Sequence, residues 1–356
     1  MKTPTLSDVA RAAGVSYATA DRVVNARGGV AQKSVHKVQK AVAALGYVRN
    51  VAAANLSTQR VYRFAFVIPT ASNAFFRHIH ALLGARDLAG RDFRQTIDIV
   101  GVEAFEAAAL ESALKGLAGA GYDGVAVVGI ESPGVSAQLA ALRQEGTAIF
   151  SFVSDVNASE RMAYIGIDNT MAGRTAARMV GIAHGAGAGH VQPIVGSLSV
   201  RDHQERLAGF CAVLKAEFPQ IALCPEIIGG DRNDIVEEKL ALQLQAVPQI
   251  SAVYNIGGGS SGIARVFGRI PPKSRPFCVV HDLLAHTRTA LEDGLIDVVI
   301  DQRPQDEIDR AIKLMRAAAN RLPVASCPPV TLAIYVRDNL PAAPRPTNSE
   351  TRSTSE

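Results

Sequence analysis

The chain has 356 residues, 48% of them hydrophobic and only 5% aromatic, with no tryptophan and a formal net charge of +4. That length exceeds one typical domain and supplies a large core, while no apolar run approaches the ~20 residues needed to cross a bilayer. Cys211, Cys224, Cys278 and Cys327 form no CxxC pair or metal-ligand spacing, and no basic-then-apolar signal segment opens the chain. The expectation is therefore a reducing cytoplasm, with no membrane span, metal or cofactor.

The +4 averages two unlike parts. Residues 1–60 hold nine Lys and Arg against two acidic residues, Asp8 and Asp21, whereas the rest holds 28 basic and 31 acidic residues. A net of +7 over sixty residues suits a phosphate-bearing partner. In the same stretch, Thr5-Leu-Ser-Asp-Val-Ala-Arg-Ala-Ala-Gly14 runs into Val15-Ser-Tyr-Ala-Thr-Ala-Asp-Arg-Val-Val-Asn25. This pattern predicts two short helices about a glycine turn. Thr5 and Asp8 would cap the first, Gly14 would end it, and Ser16 would cap the second. Leu6, Val9, Ala10, Ala13, Val15, Ala20, Val23 and Val24 read as the inner face. A third helix from Gln32 to Leu45 would close the core with Val35, Val38, Val42 and Leu45. Tyr17, Ala18, Asp21, Arg22 and Asn25 are left outward, in the arrangement that carries a helix into a major groove.

From Tyr62 onward, β-rich runs alternate with alanine-rich stretches. Strands are predicted at 63–68, 96–102, 124–130 and 148–153, with helices near 74–90, 104–120 and 134–145. A second set of strands is predicted near 162–167, 190–196, 251–256, 276–281 and 297–300. The rhythm is that of doubly wound α/β units, which bind ligands beyond the carboxyl ends of their strands. Gly185-Ala-Gly-Ala-Gly189 follows a helix and precedes a strand, the wrong order for a dinucleotide fingerprint, and reads as a helix stop. Residues 341–356, rich in Pro, Ser and Thr, read as a disordered tail. Serines near His203 and His281 permit a catalytic triad on paper. No Gly-x-Ser-x-Gly elbow, HExxH or Walker loop accompanies them, so an enzyme is not expected.

The run Leu6 to Asn25, the later Gly46-Tyr-Val-Arg-Asn50 and the alanine-rich segment ending in Leu56 resemble the headpiece of the lactose/galactose repressor family, and the resemblance continues more weakly through nearly all of the remaining chain. It implies an α/β protein: an all-α helix-turn-helix headpiece (1–48), a hinge (49–60) and a two-lobed, periplasmic-binding-protein-like sensor (61–340) that also dimerises. The second helix, with Ser16, Tyr17, Ala18, Thr19, Arg22 and Asn25, would read double-stranded operator DNA, and Lys33 would meet its phosphates. The hinge would fold on DNA, placing Asn50 and Ala53 in the minor groove and wedging Leu56 into a base step. A segment this short is marginal as an isolated helix, and an ordinary polar linker is the alternative. Asp21 departs from the family's small hydroxyl residue and would repel phosphate unless it accepts from cytosine or pairs with a basic neighbour. The family's tetramer-forming heptads are missing, so a homodimer is expected.

In the sensor the resemblance assigns ligand contacts to Asn73, Phe75 and Phe76 of the Asn-x-Phe-Phe motif, and to Asp155, Arg206, Asp282 and Gln302 at strand ends or beside them. Where many relatives have Asn-Asp, this chain has Tyr254-Asn-Ile-Gly-Gly-Gly-Ser260. Asn255 or the glycine amides would substitute, and a glycine loop opening a helix could also cradle a phosphate. The implied function is a transcriptional regulator, read as a repressor, with a small sugar as effector. A sugar phosphate or other polar co-repressor, and a transport-type sugar-binding protein, are the alternatives.

Overall fold

The computed structural model describes residues 4–25, 28–47, 60–70, 73–90, 94–324 and 327–342. The hinge positions Asn50, Ala53 and Leu56, and the tail from residue 343, lie outside the described residues. The chain divides into two compact units, Met1–Arg60 and Val61–Glu356.

The first unit packs three helices, α1 (Leu6–Ala13), α2 (Tyr17–Val24) and α3 (Gln32–Leu45). Thr5 and Asp8 make the expected reciprocal cap: the Asp8 amide donates to Thr5 Oγ1 at 3.3 Å and the Thr5 amide donates to Asp8 Oδ2 at 2.9 Å. Gly14 ends α1 with φ +62°, a left-handed conformation that costs glycine little. Val9, Ala10, Ala13, Ala20, Val38 and Ala41 are buried, with Leu6, Val15, Val23, Val24 and Val42 packed partly against them. Leu45 departs from expectation and is exposed. Gly46 turns left-handed after it and the Tyr47 amide returns to the Val42 carbonyl, so Tyr47 packs on the core in its place.

The second unit has two α/β lobes. In the first, β1 (Tyr62–Pro69), β2 (Gln95–Val102), β3 (Gly124–Val127), β4 (Ala148–Phe152) and β5 (Ala163–Ile165) form a wholly parallel sheet in the order β2-β1-β3-β4-β5. Phe64 to Ile68 are completely buried, as a strand covered on both faces requires. Helices α4 (Ala74–Gly90), α5 (Ala107–Gly116) and α6 (Pro133–Gln144) connect these strands.

The second lobe holds β6 (Gly189–Val195), β7 (Ile221–Leu223), β8 (Ile227–Ile228), β9 (Ile250–Asn255), β10 (Phe277–His281), β11 (Val298–Asp301) and β12 (Ala333–Tyr335). The order is β12-β11-β10-β9-β6-β7, β8 also pairs with β6, and only β12 runs antiparallel. Its helices are α7 (Asn169–His184), α8 (Arg201–Glu217), α9 (Asn233–Ala246), α10 (Ser260–Gly268) and α11 (Ala285–Glu292). The last helix, α12 (Pro304–Ala319), crosses back and buries Ile308, Ala311 and Met315 in the first lobe before the chain returns as β12. The short strands β7, β8 and β12 were not legible as alternating or apolar runs.

Two glycines set the scaffold of the cleft. A Cβ on Gly173 would stand 1.9 Å from the Arg206 carbonyl oxygen, and one on Gly209 would stand 2.2 Å from the Thr170 carbonyl oxygen. With no side chain at either place, α7 and α8 approach backbone to backbone, which brings Asn169 at the start of α7 against Arg206 on α8.

Candidate functional site

Each unit carries one candidate site. On α2, Tyr17 is 58% exposed, Ala18 and Arg22 are also exposed, and Asp21 and Asn25 complete a face spanning about 140° at 3.6 residues per turn. Ser16 caps the helix by accepting from the Thr19 amide at 3.1 Å, and its hydroxyl lies 2.9 Å from that of Thr19. The Asn25 Nδ2 donates to Asp21 Oδ1 at 2.6 Å, so Asp21 has an amide partner on its own helix face. Lys33 is exposed in the first turn of α3. A polar, cation-bearing helix face beside an exposed lysine has the composition for reading base edges and holding phosphate.

The second site lies between the lobes of the sensor, where the parallel strands end. Seven non-glycine residues of the described chain have φ above +50°, and five of them, Phe105, Val153, Asp231, Asp282 and Arg303, stand just beyond strands or at the entry to α12. Strained backbone of this kind costs ~1–3 kcal/mol each and collects where side chains must be aimed.

Asn73 caps the start of α4 by accepting the Phe76 amide at 2.9 Å and reaches across the cleft to donate to Asp231 Oδ2, also at 2.9 Å. The other Asp231 oxygen accepts the Gly258 amide at 2.7 Å. Asp231 thus ties the first lobe to the glycine loop that opens α10, and it borders two compartments. One is polar, lined by Asn73, Phe75, Asp231, His281, Asp282 and the loop Gly257 to Ser260. The other is walled by Phe76, Phe105, Val128, Ile130, Val153 and Val200, with Glu103, Ser154, Asp202 and His203 set among them. A Cβ at Gly257 would come within 2.5 Å of Asp231 Oδ1, so the loop reaches the carboxylate because it lacks side chains.

Behind the polar compartment runs a buried network. Arg206, 2% exposed, donates through Nε to Asn169 Oδ1 at 2.8 Å, through Nη1 to the Ile256 carbonyl at 3.0 Å and through Nη2 to Gln302 Oε1 at 2.7 Å. Gln302 Nε2 donates onward to Asp282 Oδ1 at 2.8 Å. Burial raises the Asp282 carboxyl to about 7 against the opposing pull of Arg206 and Gln302. On α12, burial and then Asp282 hold the Glu307 carboxyl well above the usual range, and both its oxygens lack hydrogen-bond partners. His281 pairs through Nε2 with Tyr254 Oη at 2.9 Å, and burial keeps it neutral.

The structure brings Asn73, Phe75, Phe76, Asp282, Arg206 and Gln302 together, the last two as braces behind the lining. Two assignments need correction. Asp155 lines neither compartment: Arg161 grips its carboxylate at 2.5 and 2.6 Å, and Ser151 Oγ and the Val156 amide donate to it as well. The left-handed turn at Val153 shifts the lining to Val153 and Ser154. Asn255 is fully buried, and its Nδ2 donates to the Gly257 and Gly258 carbonyls and to Ser260 Oγ, so it shapes the glycine loop from behind.

Sequence reasoning missed Asp231, Asp202, His203, Glu103, Phe105, Ser154 and His281. One signal was available: Asp202 and His203 sit four and three residues before Arg206, on the same face of α8. Asp231 gave none, since the strand before it is two residues long.

Comparison with known proteins agrees with both units. The model of bacterial regulatory proteins of the lacI family matches residues 5–50, and a periplasmic binding protein domain matches residues 64–322. The chain pairs a lacI-family helix-turn-helix region with a periplasmic-binding-protein domain. The HTH-type transcriptional regulator GntR of Pseudomonas aeruginosa is 39% identical over 89 residues, 24% of this chain and 26% of that relative. The sucrose operon repressor of Lactococcus lactis is 38% identical over 74 residues, 21% and 23% of the two chains. The chain spans about a quarter of the length of the curated relatives it matches. The sensor fold is that of a solute-binding protein from Burkholderia graminis in complex with D-arabinose (21% identity, TM-score 0.72, 78% of this chain and 96% of the other). It is likewise that of GanP, a glucose-galactose binding protein from Geobacillus stearothermophilus (21%, 0.71, 80% and 100%). No helix among the described residues is long and apolar enough to cross a membrane, and none of their His, Cys, Asp and Glu residues form a group that could hold a metal ion.

Proposed function

We propose that this protein is a cytoplasmic transcriptional regulator, acting as a repressor, that binds double-stranded operator DNA as a homodimer and adjusts its affinity to a small carbohydrate held between the sensor lobes. The observation that carries the reading is the pairing, in one chain, of an exposed polar α2 face with a cleft whose lobes are joined by the Asn73–Asp231 hydrogen bond. The relatives' names, among them a sucrose operon repressor, support it. An effector that engages both sides of the cleft binds the closed arrangement better than the open one. The differential affinity is what couples effector to DNA. The chain is read as a binding protein and not as an enzyme.

On this reading Tyr17, Ala18 and Arg22 meet base edges, Lys33 meets a phosphate, and Leu56, with Asn50 and Ala53, belongs to a hinge in the minor groove. A gel shift on duplex fragments from the promoter regions beside its gene, repeated with a panel of pentoses, hexoses and cyclitols, tests it. A specific, salt-dependent complex whose stability changes with one member is expected. Random-sequence DNA binding as tightly as any promoter fragment would sink it. Leu56→Ala is expected to reduce operator bending in a circular-permutation assay, and unchanged bending would make that segment a linker.

A further inference from the structure

The ionisable groups lining the two compartments of the cleft are carboxyls and imidazoles. Glu103, Asp202, Asp231 and Asp282 supply the carboxyls, and among the described residues neither compartment is lined by a lysine or an arginine. Three neighbouring guanidinium groups are committed elsewhere: Arg206 to Asn169, the Ile256 carbonyl and Gln302, Arg201 to Glu131 and Glu205, and Arg161 to Asp155.

We propose that the effector carries an ammonium group, an aminated polyol in place of a neutral sugar or a sugar phosphate. The inference rests on the reading of the cleft as the effector site. A phosphate would have gone to the glycine loop at the start of α10, where free amides and the helix N-terminus attract anions. The Asp231 carboxylate already accepts the Gly258 amide there, so a phosphate would be set against a resident anion.

A second observation points to a cation in the apolar compartment. Asp202 is 7% exposed and its Oδ1 has no hydrogen-bond partner, while its Oδ2 has only His203 Nε2 at 3.8 Å. Ser154 Oγ, 1% exposed, is also without a partner in the same wall. A carboxylate buried among Val128, Ile130, Val153 and Val200 is costly unless a charge answers it. A hydroxyl offers one donor and no charge. An ammonium offers three donors and neutralises the carboxylate, and Phe76 and Phe105 supply the aromatic faces that attract cations. The polyol end would then meet Asn73, Asp231 and Asp282, whose amide and carboxyl groups suit vicinal hydroxyls.

The test is calorimetric titration of the full-length protein with matched trios, each an amino sugar or amino cyclitol, its parent polyol and the phosphate of that polyol. At least one amine is expected to bind tenfold or more tightly than its parent, with its phosphate weaker still. Asp202→Asn is expected to lower that amine's affinity at least tenfold and cut its advantage over the parent below threefold. Glu103→Gln, at an exposed position, gives the same direction with a smaller loss and guards against misfolding of the buried variant. A parent polyol binding as well as its amine, or a phosphate binding more tightly, overturns the ammonium assignment and leaves the carbohydrate-sensor reading standing. A panel in which nothing binds and nothing changes operator affinity overturns both.

Discussion

The α2 face and the sensor cleft differ in how far apart in sequence their parts lie. Tyr17, Ala18, Asp21, Arg22 and Asn25 fall within nine consecutive residues, and one helix suffices to align them. Asn73 meets Asp231 across 158 positions, and Arg206 meets Asn169 across 37 and Gln302 across 96. The first site is a local product of helix geometry. The second exists only once two sheets, a returning α12 and a close α7–α8 pair are in place, so its residues serve the fold as well as the ligand.

Arg206→Ala is the strongest way to break that contrast. It would leave Asn169 Oδ1, the Ile256 carbonyl and Gln302 Oε1 without their guanidinium donor in a buried site, beside Asp282 and Glu307. Removing one side of a buried polar network costs ~3–5 kcal/mol, so the sensor's melting temperature should drop by roughly ten degrees in calorimetry. A melting temperature within two degrees of wild type would mean that Arg206 is not a structural brace.

Asp282 supplies a pH signature in the same network. Its carboxyl titrates near 7 in the folded chain and near the ordinary 3.8 when unfolded. The folded state therefore binds more protons between those values. Its contribution to stability is fully present below pH 4 and is lost as pH rises through 7. Asp282→Asn, neutral throughout, should gain stability relative to wild type between pH 4 and 8, on the order of 4 kcal/mol at the upper end. Paired denaturation curves at several pH values measure it, and a constant difference would place the Asp282 carboxyl near its ordinary range.

These differences explain what could be read from the sequence. Thr5, Gly14 and Ser16 announce the caps and turn of the first unit because caps are made by residues within three positions of the helix. The long strands β1 and β2 were equally plain from their β-branched and apolar runs, and the helix Ala74–Gly90 from the helical spacing of its buried residues. Asp155 was misplaced because a left-handed Val153 is not signalled by residue type, and one such turn decides which neighbour faces the cleft. Asp231 was overlooked because it owes its position to Gly257 and Gly258 on a different strand end, not to its own surroundings in the sequence.

The exposed face predicts the opposite pattern of effects. Arg22→Ala should leave the melting temperatures unchanged, because the side chain is exposed and packs no core. Its loss should weaken operator binding by ~1–3 kcal/mol and relax one base position, whereas Lys33→Ala should weaken specific and random DNA alike. Competition gel shifts with single-base operator variants measure both. Equal losses on specific and random DNA for Arg22→Ala would move that residue from base reading to phosphate contact.

The smallest expected effect sharpens the claim that the first unit is locally specified. Thr5→Ala removes the Oγ1 that accepts the Asp8 amide and donates to Asp8 Oδ2 at 2.7 Å, while the Asp8 carboxylate still accepts the Thr5 position's own amide. Half of the reciprocal cap survives, so the cost should be ~1 kcal/mol, at the middle of the range for capping substitutions. In a unit of sixty residues, 1 kcal/mol moves the melting point by about 4–8 °C, enough for circular dichroism to resolve at the helical wavelengths. The sensor's transition should not move, because the hydrogen bonds of the Thr5 side chain run to Asp8 within the first turn of α1. A shift of the sensor transition by the same amount would show that the two units unfold together, and the local reading of the first would then fail.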